Sequence, residues 1–121
     1  MKRVKLKTEL DELTLLELFW VEPTISQPQD GYACYEVTDE QGVKLKFGVD
    51  IIQESVQIDL NLSEIPIVSF SYEQVEYLDI IDESQGKFAF SFSPKEVNFD
   101  SNVQVQLRPK IKISGATLLT S

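Results

Sequence analysis

Apolar residues recur at intervals of three and four over residues 8–20 and at every second position over most of the remaining chain. The first spacing predicts a helix from Thr8 to Trp20, with Leu10, Leu13, Leu16 and Trp20 as its apolar stripe and Glu9, Asp11 and Glu12 turned away. Thr8 can cap its start, Asp11 stands where a capping box has its acid, and acids in the first turn suit the helix dipole. Pro23, Pro28 and Gly31 then mark a connecting loop over residues 22–31.

From Tyr32 onward the period is two. Ala33, Tyr35 and Val37 alternate with Cys34 and Glu36, and Val43, Leu45 and Phe47 alternate with Lys44 and Lys46. A five-residue loop Thr38–Gly42 would pair Val37 with Val43, Tyr35 with Leu45 and Glu36 with Lys44, and would set Lys46 opposite Cys34. Further strands are predicted over Val56–Leu62, over Ile67–Ser71 after a break at Glu64-Ile65-Pro66, and over Val75–Ile81. The last is apolar on both faces, as a central strand would be. Phe88, Phe90 and Phe92 form a core-facing row after the turn Asp82–Gly86, and Val103, Val105 and Leu107 form a strand that Ile111 and Ile113 continue beyond Pro109. Ser93-Pro94-Lys95-Glu96 has the spacing of a capped helical turn. The expected fold class is α+β, mainly β. One N-terminal amphipathic helix packs on an antiparallel meander sheet of about six to seven strands, in a single domain over residues 1–121.

Charge adds a second pattern. All twenty carboxylates lie between Glu9 and Asp100, whereas Lys2, Arg3, Lys5, Lys7, Arg108, Lys110 and Lys112 occupy the ends. Residues 8–107 therefore hold four lysines against twenty acids, a formal −16 inside a chain of net −9. Such a body repels phosphate, which argues against direct nucleic-acid binding and leaves a basic protein partner or a generic solvated face as its role. The acids expected to face solvent, and so to form a partner-binding surface, are Asp39, Glu40, Asp59, Glu73, Glu76, Asp82 and Glu83.

Little chemistry is available. With no histidine, the commonest general base and zinc ligand are missing, and Ser-His and Cys-His pairs cannot form. The five glycines are too dispersed for a phosphate loop, and no calcium-loop pattern occurs. Asp50, Asp59, Glu76 and Asp79 could supply a carboxylate pair for acid–base work, yet twenty carboxylates make close pairs commonplace. The expectation is a non-enzyme with no cofactor and no metal. Cys34 cannot form an internal disulfide, which fits a reducing compartment. Glu9, Asp11 and Glu12 interrupt what would otherwise read as an export signal, and no apolar run is long enough to span a bilayer. A cytoplasmic location without membrane association is expected.

The segments Ser69-Phe-Ser-Tyr-Glu-Gln-Val-Glu-Tyr-Leu-Asp-Ile80, Gly86-Lys-Phe-Ala-Phe-Ser-Phe92 and Val103-Gln-Val-Gln-Leu107 resemble the C-terminal half of small β-rich immunity proteins. These come from bacterial polymorphic-toxin and contact-dependent inhibition systems. Leu18-Phe-Trp-Val-Glu-Pro23 and Gly42-Val-Lys-Leu-Lys-Phe47 are similar in style. The resemblance implies a protein that neutralises a cognate toxin domain, often a basic nuclease, and it carries over no site residue. Two alternatives use the same features: a nucleic-acid-mimicking anti-defence inhibitor, and an assembly subunit pairing through its sheet edges.

Overall fold

Alternation of buried and exposed positions becomes two antiparallel sheets in the computed structural model, which describes residues 1–92 and 99–119. Among the described residues ten strands are present: β1 (Lys2–Lys5), β2 (Ile25–Gln27), β3 (Tyr32–Thr38), β4 (Val43–Asp50), β5 (Ser55–Leu62), β6 (Ile65–Tyr72), β7 (Val75–Asp82), β8 (Lys87–Phe92), β9 (Phe99–Gln106) and β10 (Lys112–Leu119). One sheet runs β2-β3-β4-β5-β6 and the other β1-β7-β8-β9-β10. The fold is mainly β with one N-terminal helix, as expected, but the meander is split in two. The first sheet is one unbroken meander. In the second, β1 reaches across the chain to pair with β7, Arg3 lying opposite Asp79 and Val4 opposite Leu78. β7 is thus an interior strand, in keeping with its apolar faces.

Between the sheets lies a hydrophobic cluster. Leu45, Phe47, Val49, Val56 and Ile58 come from one side and Val75, Leu78, Ile80, Phe88, Phe90, Val103 and Val105 from the other. Phe47 meets Phe88 edge-on at 5.2 Å between ring centroids, and Tyr72 meets Phe90 in the same way at 5.1 Å. These contacts are what an antiparallel sandwich requires, with period-two aromatics facing inward from both layers. Phe88 and Phe90 are therefore core, as their spacing predicted.

The helix α1 (Glu12–Phe19) is shorter than predicted, and it turns a different face to the core. Asp11 is its N-cap, accepting a hydrogen bond from the Thr14 N–H at 2.8 Å, while Trp20 closes it in the left-handed conformation. Thr14, Leu15, Leu18 and Phe19 are buried; Leu13, Leu16 and Trp20 are exposed. Both stripes have helical spacing, and the Phe19 ring decides between them. It stacks on Tyr35 at 5.1 Å and touches Phe47 and Phe88 at 5.3 and 5.6 Å, so the helix seals the sandwich by contacting both sheets.

Three further expectations are corrected. The first hairpin pairs Val37 with Leu45, Tyr35 with Phe47 and Glu36 with Lys46, two residues away from the predicted register. A shift of two keeps every side chain on its face, so hydrophobic pattern alone cannot detect it. The Asp39 carboxylate selects it by accepting the Gln41 and Val43 N–H groups at 2.9 and 3.0 Å. Ile65 and Pro66 belong to β6 instead of breaking the chain, because the turn is made at Ser63 and Glu64, both at positive φ. A proline is tolerated there because β6 is an edge strand. Finally, the basic opening segment and part of the predicted loop at residues 22–31 form β1 and β2. The helical turn predicted at Ser93–Glu96 lies outside the described residues.

Candidate partner-binding surfaces

The predicted acidic residues occupy three separate places. Asp39 and Glu40 stand in the β3–β4 turn, and Asp82 and Glu83 stand at the end of β7 and in the β7–β8 turn. The connection from Leu107 to Ile111 joins these two turns. Asp39 accepts from the Ile111 N–H at 3.0 Å, and Arg108 donates to the Glu83 carbonyl at 2.6 Å. Glu73 and Glu76 lie near the opposite end, where the Leu6 N–H bonds the Glu76 carbonyl and the Val75 N–H bonds the Glu54 carbonyl. Asp59 lies midway along β5 on the outer face of its sheet, between Lys46 of β4 and Ser69 of β6.

Exposure and hydrogen bonding sort these acids further. Glu40, Glu73, Glu76 and Glu83 are exposed. Asp39 and Asp82 are structural as well as charged. Burial tends to raise the Asp39 carboxyl, but N–H groups of Ile111, Val43 and Gln41, together with the Lys110 charge, hold it below the usual carboxylate range. The Ser84 hydroxyl, with the N–H groups of Ser84 and Gln85, does the same for Asp82.

For a carboxyl depressed in the folded state, the stabilisation is present above the unfolded pKa, about 3.9 for aspartate, and is lost as pH falls through the folded one. Asp39→Asn also turns an amide N–H toward the Ile111 N–H. The variant should therefore be less stable than the parent at neutral pH, by about 1–3 kcal/mol. The gap should hold down to about pH 5 and narrow below about pH 4, measured as urea midpoints across pH. Comparing the two proteins removes the general relief of charge repulsion. A gap that widens on acidification would contradict this assignment.

Arg108 is a group that sequence reading missed. Its guanidinium lies 3.4 Å from the Trp20 ring centroid and donates to the carbonyls of Leu18, Glu83 and Ser84. Gly86 makes room for it: a Cβ there would stand 2.8 Å from the Leu107 Cβ and 3.0 Å from the guanidinium. Arg3 plays a similar part elsewhere, gripping buried Asp79 through Nε at 2.7 Å and Nη2 at 3.1 Å. Two of the basic residues at the chain ends are thereby tied into the fold.

Three of the four carboxylates considered for acid–base work are engaged elsewhere, and the fourth, Glu76, is exposed on β7. Asp79 is held by Arg3, Asp59 accepts from the Ser69 hydroxyl, and Asp50 accepts the Ile52 and Gln53 N–H groups in its turn. Cys34 is buried opposite Gly48, while Lys46 is opposite Glu36 and pairs with it at 3.4 Å, so the lysine does not face the thiol as predicted. Among the described residues, no three acidic or cysteine side chains come together as metal ligands would. Among them too, no helix is long and apolar enough to cross a membrane.

The outer face of the first sheet carries two shallow grooves beside β6. One, of about 420 Å³, is lined by Lys46, Asp59, Asn61, Pro66, Ile67, Val68 and Ser69. The other, of about 240 Å³, includes Tyr32, Asp50, Gln57, Ser71 and Glu73. The first has one carboxylate at its wall, Asp59, and the second has two, Asp50 and Glu73.

No family model matches the chain, and no curated protein matches it. A solved structure does. The chain is similar to one from a contact-dependent growth inhibition toxin–immunity protein complex from Klebsiella pneumoniae 342, with a TM-score of 0.81. At 21% identity the likeness covers 95% of this chain and 100% of that one, so the two share one fold across nearly their whole length.

Proposed function

We propose that this protein is a non-enzymatic immunity protein that binds and neutralises a cognate bacterial toxin domain. The observation that carries the reading is the fold shared, nearly end to end, with a chain of a toxin–immunity protein complex. The charge distribution favours the immunity role over the toxin role. An acidic body suits the occlusion of a basic enzyme, and three of the four candidate carboxylates are held by a turn, a serine hydroxyl and an ion pair. Neutralisation works by charge and bulk. Carboxylates meet the lysines and arginines that a nuclease would present to phosphate, which speeds encounter and blocks the substrate path. The partner is thus a basic toxin domain, met in the cytoplasm.

Co-purification with the product of the adjacent reading frame tests this. Association should slow by about tenfold or more between low and high salt, as expected for steered encounter. Reversing Glu40, Glu73, Glu76 and Glu83 to lysine should slow it similarly while leaving the turn-forming Asp39 and Asp82 intact. Failure of the wild-type protein to bind or protect against that product would sink the function. Unchanged association after the reversals would sink the acidic surface alone.

A further inference from the structure

We propose that β6 is the docking edge for an extended segment of the protein partner, which joins the first sheet as a sixth strand. This rests on the toxin-neutralising reading and names the surface and recognition chemistry for it.

β6 differs from the other edges. β1 is short and carries Lys2, Arg3 and Lys5; β2 has three residues; β10 opens with Lys112. Short length and edge lysines are the usual guards against strand addition. β6 has eight residues and not one charged side chain, and Ile65, Ile67 and Phe70 are 62%, 61% and 38% exposed. Proline at position 66 blunts only its beginning, and among the described residues no strand pairs with Ile67–Ser71 on the side away from β5.

The hydrogen-bond phase of the sheet identifies the open groups. The Asp39 N–H bonds the Val43 carbonyl, so the hydrogen-bonded pairs of the next ladder steps are Val37 with Leu45 and Tyr35 with Phe47. Successive alternation then gives Lys46 with Asp59 and Gly48 with Gln57, and after them Ile58 with Phe70 and Val56 with Tyr72. Ser69 and Ser71 therefore turn their backbone N–H and C=O away from β5. A row of such groups is completed by another extended backbone.

Charge says what kind of strand fits. Glu64 and Glu73 flank β6, Asp59 lines one outer groove beside Ile67 and Ser69, and Asp50 and Glu73 line the other beside Ser71. The two lysines nearby are already paired, Lys44 with Glu64 at 3.1 Å and Lys46 with Glu36 at 3.4 Å. An added strand would send alternate side chains over these grooves and the others past Val68 and Phe70. It should accordingly alternate lysine or arginine with apolar residues. A second copy of this chain fits poorly, because antiparallel self-pairing about Ser69 brings Glu64 and Glu73 of the two copies toward each other.

Proline at position 71 provides the test, since it deletes an outward N–H and leaves the bonds to β5 in place. With the toxin domain encoded by the adjacent frame as probe, Ser71→Pro and Ile67→Lys should each weaken binding on the order of 100-fold. In the wild-type complex, amide exchange at Ser69 and Ser71 should slow markedly on binding. Wild-type affinity in both variants, or unchanged exchange at these amides in a complex that does form, would overturn the edge proposal while leaving the neutralising function standing. Protection that grows with the concentration of the free protein would also overturn it, by showing a second copy on the edge. If Ser71→Pro fails to fold, Ile67→Lys and the exchange measurement decide. A wild-type protein that binds no toxin domain overturns the functional reading itself.

Discussion

Replacing Phe19 with alanine should lower the unfolding free energy by about 3–5 kcal/mol. The residue is fully buried, and its ring is where the three layers meet: Tyr35 and Phe47 of one sheet, Phe88 of the other. Truncation removes the transfer energy of a large side chain and leaves a cavity that β-strands on both sides cannot close by sliding. It also breaks aromatic pairs worth about 0.5–1.5 kcal/mol beyond their burial. Against a typical total stability of about 5–15 kcal/mol, such a loss would be visible as a large drop in the urea midpoint. Leu13→Ala and Leu16→Ala provide the contrast, because both side chains are exposed and should cost less than about 1 kcal/mol. If Leu13→Ala proved as damaging as Phe19→Ala, the helix would have to face the core with its other stripe.

That contrast also explains which parts of the structure could be read from the sequence. The strands were legible because alternation over six to eight residues fits a half-buried strand and little else; Val56–Leu62 and Val75–Ile81 nearly match β5 and β7. The helix was legible as a helix but not in its facing. Leu10, Leu13, Leu16 and Trp20 make one stripe and Leu15, Leu18 and Phe19 another, so periodicity offers two answers. Only the aromatic pocket formed by residues from β3, β4 and β8 chooses between them. The first hairpin failed for a different reason: a two-residue shift conserves the faces, and the choice belongs to the carboxylate of Asp39. β1 and the residue after it carry only the short alternation of Val4 and Leu6 with basic residues, and β2 a single apolar residue, Ile25, too little to mark strands apart from their pairing with β7 and β3. The candidate surfaces were legible only as composition. Counting acids identified Glu73 and Glu83 but could not reveal that they lie near opposite ends. The uncharged run Ile67–Tyr72 was visible, while its position at a sheet edge depends on pairings that local sequence does not contain.

Arg108→Ala should be the next most damaging change, lowering stability by about 2–4 kcal/mol. Three carbonyls converge on this guanidinium: Leu18 at 3.0 Å, Glu83 at 2.6 Å and Ser84 at 3.1 Å. Hydrogen bonds to charged groups contribute about 1.5–3 kcal/mol where they are shielded, as the partly buried one to Leu18 is, and less at the exposed Glu83 and Ser84 carbonyls. A cation over an indole adds roughly 0.5–2 kcal/mol. Partial burial lowers the Arg108 pKa and the nearby Asp82 charge opposes that shift, so the cation is retained at neutral pH. The Leu18 carbonyl belongs to the last turn of α1, where positive charge suits the helix dipole. One side chain thus fastens the helix end to the β7–β8 turn, and removing it frees both. Arg108→Lys should recover less than half of the loss. An ammonium keeps the charge but cannot lie flat on Trp20 while reaching three carbonyls. Trp20 is the only tryptophan, so its emission should shift in Arg108→Ala without global unfolding. A double-mutant cycle with Trp20→Ala should yield a coupling of about 0.5–2 kcal/mol. Stability within about 0.5 kcal/mol of wild type, with unaltered emission, would show that Arg108 does not fasten the helix.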